Sequence, residues 1–260
     1  MAILALTSTA GSPGVTTLAV GLSLVWPRSV LLADCDPGAH QSVLAGYLAG
    51  QTASGKGLLR VAEAHRDRRA LRDVVVDQTI PLTDDDPQQR LFLPGFLKPG
   101  SAGIFGGVWP DLMETFDRLD DAGVDVIVDA GRISPAGLPG PLLDHAALTC
   151  VVMRSHLRAV MSAKVHTASM REQARLTAAE TPLGLVLVGE GDPYGRAEIS
   201  KALGVPVVAA VADDPVSAAH LSDGRPRHRR FDSSPLVKSL HTTATALSAR
   251  LQRTAERIGR

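Results

Sequence analysis

The residues best suited to chemistry lie in one short run, Ser8-Thr9-Ala10-Gly11-Ser12-Pro13-Gly14-Val15-Thr16-Thr17. Its glycines and paired threonines give the outline of a phosphate-binding loop. In such a loop backbone N–H groups cradle the phosphates, a lysine reaches the terminal oxygens and a hydroxyl holds Mg2+. Gly14, Thr16 and Thr17 are kept here, but Val15 stands where the lysine belongs. Pro13 removes one further N–H donor. What remains is anion binding by backbone and hydroxyl groups, without the side-chain cation.

A loop of this kind works only between a buried strand and a helix N-terminus. Ala2-Ile3-Leu4-Ala5-Leu6 is a continuous apolar run suited to a buried parallel strand, and Thr16 to Trp26 reads as a helix stopped by Pro27. Ser29-Val30-Leu31-Leu32-Ala33 is a second buried strand, ending in Asp34-Cys35-Asp36-Pro37. The ordinary role for such aspartates is to cap a following helix.

On these residues the chain resembles the MinD/ParA family of deviant-Walker P-loop ATPases, whose loop reads S-G-K-G-G-V-G-K-T-T. Ser8, Gly11, Gly14, Thr16 and Thr17 match, while Ala10 replaces the deviant lysine and Val15 the ordinary one. Asp34, Asp36 and Pro37 match the family's D-x-D-P, and Val124 to Gly131 is similar to its Walker B strand, with Asp129 as the terminal acid. Leu203 to Pro215 is similar to the family's late strand and acidic-proline turn. The likeness runs from residue 1 to about residue 224.

The resemblance implies an α/β fold with a doubly wound, mostly parallel sheet flanked by helices. It implies ATP or ADP on Gly11, Ser12, Pro13, Gly14, Val15, Thr16 and Thr17, and Mg2+ held through Thr16, Asp36 and Asp129, with Asp36 orienting the attacking water. Loss of both lysines puts nucleotide binding in question and predicts absent or very slow hydrolysis, since one cation at a phosphoryl-transfer transition state is worth roughly 10³ to 10⁵ in rate. Arg132 and Arg154, each at a strand end, are candidates to replace the missing charge, with Arg154 assigned to the cofactor. Where family members tend to carry an asparagine for the base, this chain has Gly189-Glu190-Gly191-Asp192.

The implied function is a scaffold or spatial regulator for a protein partner in a secretion, pilus, division or partition apparatus, with homodimerisation over nucleotide as the family habit. A weak ATPase using a substitute arginine is the alternative. A dinucleotide-dependent oxidoreductase is a third reading, because Asp34 follows Gly14 by about twenty residues, as the ribose-binding acid does in a Rossmann unit. Against it, Gly11-Ser12-Pro13-Gly14 does not fit G-x-G-x-x-G.

The rest of the chain alternates. Ser42 to Leu48, Gly57 to Ala64, Asp111 to Leu119 and Leu157 to about Thr177 read as helices. Val74-Val75-Val76, Leu91-Phe92-Leu93, Leu148 to Met153 and Leu183 to Val188 read as strands, with Thr83-Asp84-Asp85-Asp86-Pro87 as a loop. This rhythm favours crossover connections and one domain, residues 1–232, followed by a C-terminal helix over 233–260. In that helix Leu236, Leu240, Ala244, Leu247, Leu251 and Ile258 form a narrow apolar stripe suited to packing on the domain.

Composition narrows the classes further. Hydrophobic residues make up 45% and aromatics 3%, so the core is expected to be mostly Leu, Val and Ala. A net charge of zero gives no global attraction to nucleic acid or anionic lipid; any such contact falls to Arg225-Pro226-Arg227-His228-Arg229-Arg230. Two cysteines without ligand spacing, no apparent secretory signal and no long apolar span predict a cytoplasmic protein, open to recruitment to membrane or nucleoid. No Gly-x-Ser-x-Gly or Cys-x-x-Cys supports hydrolase or redox chemistry.

Overall fold

The computed structural model describes residues 3–258 apart from 85, 99, 135–136 and 177–181, and side chains are described up to residue 173 in one long helix and residue 254 in the last. Ala2, Asp85, Thr177 and the Ile258 side chain, each included in a sequence reading above, lie outside the described residues. The first half of the chain contributes β1 (Ile3–Ser8), α1 (Val15–Val25), β2 (Ser29–Asp34), α2 (Ser42–Ala45), α3 (Leu58–Arg66), β3 (Ile80–Pro81), β4 (Arg90–Leu93), α4 (Trp109–Leu119) and β5 (Val124–Arg132). The second half contributes α5 (Gly140–His145), β6 (Leu148–Arg154), α6 (Leu157–Leu176), β7 (Leu183–Val188), α7 (Arg196–Leu203), β8 (Val207–Val211), α8 (Pro215–Asp223) and α9 (Pro235–Ile258).

Among the described residues the strands form one sheet in the order β3-β4-β2-β5-β1-β6-β7-β8, parallel throughout except for β3. The mostly parallel, doubly wound α/β architecture is the one the alternation implies. Because every parallel crossover must cover a face of the sheet, the strands are buried on both sides and read as unbroken apolar runs rather than alternating ones. Two cores result. One face packs β1 and β5 side chains such as Ile3 and Val128 against α3, α4, α5 and α6; the other packs Leu4, Leu6 and Ile127 against α1 and α9.

Helix α1 ends at Val25 because Trp26 precedes Pro27 and takes an extended conformation (ψ 138°), as the proline ring requires of its predecessor. At α8, Pro215 occupies the first turn and the Asp214 carboxylate accepts the Ser217 N–H at 3.1 Å, so the acidic-proline turn is an N-cap. Gly21 allows α9 to approach α1 closely: a Cβ there would lie 2.8 Å from Leu240 Cδ1. The described stripe residues of α9, Leu236, Leu240, Ala244, Leu247 and Leu251, are all buried in the α1 face core. Leu247→Ala is therefore expected to destabilise the protein by about 2–5 kcal/mol, the usual cost of a buried cavity, measured as a shift of the urea unfolding midpoint.

Two local readings change, and one strand has no counterpart among them. Val74 and Val75 are buried, yet Val74-Val75-Val76 lies among 3-10 turns at Leu71–Asp73 and Val76–Gln78 rather than in a strand. A three-residue apolar run is satisfied by burial alone, with no pairing partner needed. The helix expected over Ser42 to Leu48 is a single turn, because the Gly50 N–H folds back onto the Leu44 carbonyl and the Leu48 N–H onto that of Val43. Strand β3 went unread: two residues, one a proline, pair antiparallel with Leu91 and Phe92 at the sheet edge, where a missing N–H is tolerated.

Candidate functional site

Strand order brings the carboxyl ends of β1, β2 and β5 side by side, with Asp129 in register with both Leu6 and Asp34. The phosphate-loop residues leave β1 here. Gly11, Ser12 and Gly14 all have positive φ (75°, 45° and 95°), the glycines at little cost and Ser12 with some strain, and α1 begins at Val15. Gly14 is the N-cap and supplies no side-chain cap, so the N–H groups of the first turn lack intrahelical partners and favour an anion.

These elements border a cavity of about 770 Å³ lined by Gly14, Val15, Thr16 and Thr17, by Asp36 and His40 after β2, by Arg132, and by Ser222 and Asp223 at the end of α8. Ser12 lines it too, whereas Gly11 is exposed and Pro13 buried beside it. Val15 is only 7% exposed and belongs to the α1 core. The position that would carry a lysine is thus used for packing.

Three carboxylates cluster at the carboxyl ends of β2 and β5, of which Asp36 lines the cavity and Asp34 and Asp129 are buried beside it. Asp129 is 1% exposed; its Oδ1 accepts the Gly131 N–H at 2.9 Å and its Oδ2 has no hydrogen-bond partner. Burial pushes its carboxyl up to about 6, opposed by the neighbouring Thr16 hydroxyl and the Gly131 N–H and reinforced by the Asp36 charge. Asp34, also buried, is raised well above the carboxylate range by burial and then by the Asp129 charge. Gly95 leaves room for it, since a Cβ there would sit 2.6 Å from Asp34 Cγ.

Asp34 and Asp36 do not cap α2, whose N-cap is Gln41. Asp34 Oδ1 instead accepts the Asp36 N–H at 3.2 Å, and Asp36 Oδ1 accepts the Gly38 N–H at 2.8 Å, two local turns that hold the segment against the site. Asp36 reaches the cavity, with His40 Nε2 3.9 Å from its Oδ2. Asp34, in register with Asp129 across β2 and β5, is absent from the described lining, as Asp129 is.

The two candidate arginines part company. Between Leu6 and Ser8 the β1–β5 register slips, so that Ser8 pairs with Arg132, and Thr7 Oγ1 donates to the Gly131 carbonyl at 3.0 Å. This bulge, with Gly131 at φ 59°, re-aims the strand end, and the Arg132 guanidinium donates to Ser12 Oγ at 2.9 Å. Arg154 instead donates through both guanidinium nitrogens to the Asp213 carboxylate. It borders the loop-side cleft with Gly14 and Thr17, but its charge is already paired. The arginine hydrogen-bonded to the phosphate loop is Arg132, whereas Arg154, on the loop-side cleft, is ion-paired with Asp213 just beyond β8.

Elsewhere, Glu190, near the expected base position, is held bidentately by Arg196 at 2.8 Å. Within the basic run, Arg227 lies over the Phe231 ring at 5.1 Å and 3.6 Å from Asp232, and His228 contacts Ser217 Oγ at 3.0 Å. Arg225, Arg229 and Arg230 are exposed. His40, Ser222 and Asp223 line the cavity without having been singled out in the sequence. Only the fourfold spacing of His40 from Asp36 hinted at proximity. Among the described residues no helix is long and apolar enough to cross a membrane.

The donor chemistry fits a hard cation: the Thr16 hydroxyl and the Asp36 carboxylate line the cavity, and Asp129, buried off the lining, keeps an orphaned oxygen, all ligands of the kind Mg2+ accepts. The loop backbone fits phosphate in shape. Charge fits it poorly, because Asp36 and Asp223 oppose Arg132 on the lining.

No protein-family model matches the chain, and no curated protein matches it. Solved structures do. A ParA family ATPase from Chlorobium tepidum TLS aligns with TM-score 0.69 and 18% identity over 94% of this chain and 97% of its own. The MinC:MinD cell division protein complex of Aquifex aeolicus gives TM-score 0.70 at 14% identity over 96% of each chain. The septum site-determining protein MinD of Pyrococcus horikoshii OT3, complexed with Mg-ADP, gives 0.60 at 18% over 94% of each. The chain has the fold of the ParA/MinD P-loop ATPases.

Proposed function

We propose that this chain is a scaffold or spatial regulator of the ParA/MinD type in which ATP hydrolysis is absent or very slow. One observation carries this reading: the phosphate cavity has no lysine on its described lining, and Val15, at the lysine position, is packed into the core. Backbone N–H groups and Arg132 would still hold an anion weakly. Thr16, Asp36 and Asp129 would hold Mg2+, which when bound neutralises phosphate charge, and Asp36 would position a water. Residues 1–232 would form the nucleotide-type unit and 233–260 the helix that supports it.

The partner is a protein of a secretion, pilus, division or partition apparatus. Support comes from the similarity to the MinC:MinD complex; a homodimer across the cavity face is a further element of this proposal. A cytoplasmic chain recruited to membrane or nucleoid through Arg225 to Arg230 is the secondary element of this proposal. The contact between Arg132 and Ser12 favours a second reading, a weak ATPase with arginine in place of lysine.

Turnover of radiolabelled ATP with Mg2+, with Asp36→Ala as control, separates the two. Phosphate release is expected at the background rate for both proteins. Release that Asp36→Ala abolishes would refute the scaffold reading in favour of the ATPase. Native mass spectrometry of the purified protein shows in the same preparation whether nucleotide travels with it.

A further inference from the structure

Arg132 also lines a second cavity, of about 480 Å³, that none of the phosphate-loop residues borders. Its walls are Phe96 and Trp109 on one side and Leu138 and Leu142 from the segment after β5 on the other. Trp109 and Phe96 are fixed by a chain of edge-to-face contacts through Phe105, with ring centroids 5.1 and 5.2 Å apart, so the aromatic wall is preformed. Gly103 and Gly106 are also on the lining, and a Cβ at either would meet nothing within 4 Å. Cys35 also borders it, but burial and the Asp34 and Asp129 charges raise its thiol well above the usual range and leave it unreactive.

Size, lining and charge agree on one ligand class. The volume lies within the range of small-molecule sites, about 300–1,000 Å³, which are mostly apolar with a few placed polar groups. Arg132 is the one charged side chain among the described lining residues, and no carboxylate opposes it there. We infer that this cavity binds a small amphiphilic acid, its apolar body against the Trp109 and Leu138 part of the lining and its anionic head on Arg132.

The same guanidinium donates to Ser12 Oγ in the phosphate loop. An acid in the apolar cavity and an anion in the phosphate cavity therefore draw on one cation, and each is expected to weaken the other by the same factor. The inference does not depend on whether ATP is hydrolysed, only on Arg132 lying between the two cavities.

Calorimetric titration with octanoate, set against 1-octanol of the same chain length, tests it on the full chain. Octanoate is expected to bind saturably and at least about tenfold more tightly than 1-octanol, the effect of one charge-assisted hydrogen bond. Gly106→Leu, which places a side chain in open space, is expected to abolish binding without lowering the thermal midpoint. Arg132→Gln is expected to bring octanoate down to the affinity of 1-octanol. The inference is overturned by no saturable octanoate binding to the unmodified protein, by equal affinity for acid and alcohol, or by octanoate binding that survives in folded Gly106→Leu.

Discussion

Lysine introduced together at positions 10 and 15 (Ala10→Lys with Val15→Lys) is expected to raise the affinity for ATP about a hundredfold, the combined effect of two charge-assisted hydrogen bonds at roughly 1.5 kcal/mol each. The cradle is otherwise in place: Gly14 caps α1 in the left-handed conformation, Thr16 and Thr17 face the cavity, and Asp36 borders it. Position 15 decides the size of the gain. Val15 is buried in the α1 core but also touches the cavity, so a lysine there can leave its stem in the apolar packing and extend its ammonium toward phosphate. Calorimetry with ATP and Mg2+ on the single and double variants measures this. An unchanged affinity in a folded double variant would mean that the cavity no longer accepts a triphosphate, and would remove nucleotide from the proposed function.

The second large effect concerns pH. Asp129 holds its proton up to about pH 6 in the folded chain, against an ordinary value of 3.8, chiefly because it is buried. A group whose folded value is raised contributes stability that is complete below the unfolded value and is lost as pH rises through the folded one. Stability from this group therefore falls between about pH 4 and pH 6, by about 3 kcal/mol for two pH units of displacement. The buried Asp34, raised in the same direction, adds to the fall.

Asp129→Asn removes the charge and keeps an oxygen to accept the Gly131 N–H. It is expected to raise the thermal midpoint by several degrees at pH 8 and to have little effect at pH 4. Scanning calorimetry across that range is the measurement. The same increment at both ends would show that the carboxylate ionises in the folded state without penalty. Such a result would also weaken the case for a cation site, because an anionic cluster that costs stability is what a bound cation would relieve.

Much of this was legible in the sequence because it is local. Ile3 to Leu6, Val30 to Ala33 and Leu183 to Val188 are strands by apolar run alone, Pro27 ends α1 through the geometry of the residue before it, and Asp214 with Pro215 forms an N-cap visible as a dipeptide. The missing lysines are likewise facts of composition at fixed positions. Local signals failed where burial could be met in more than one way, as at Val74 and Val75, or where an element was too short to have a period, as at β3.

By itself, then, the sequence determined the strand–loop–helix order, the alternating α/β rhythm and the absence of a phosphate-binding cation in the loop, since each depends on neighbours a few residues apart. Tertiary structure alone decided which charges meet. Arg132 and Arg154 look equivalent as strand-end arginines, yet a register slip between β1 and β5 sends one to Ser12, 120 residues away, and the ordering β6-β7-β8 gives the other to Asp213. Side-chain destinations at a sheet edge follow from strand order and register. Those are set by the packing of the whole sheet, and no window of sequence contains them.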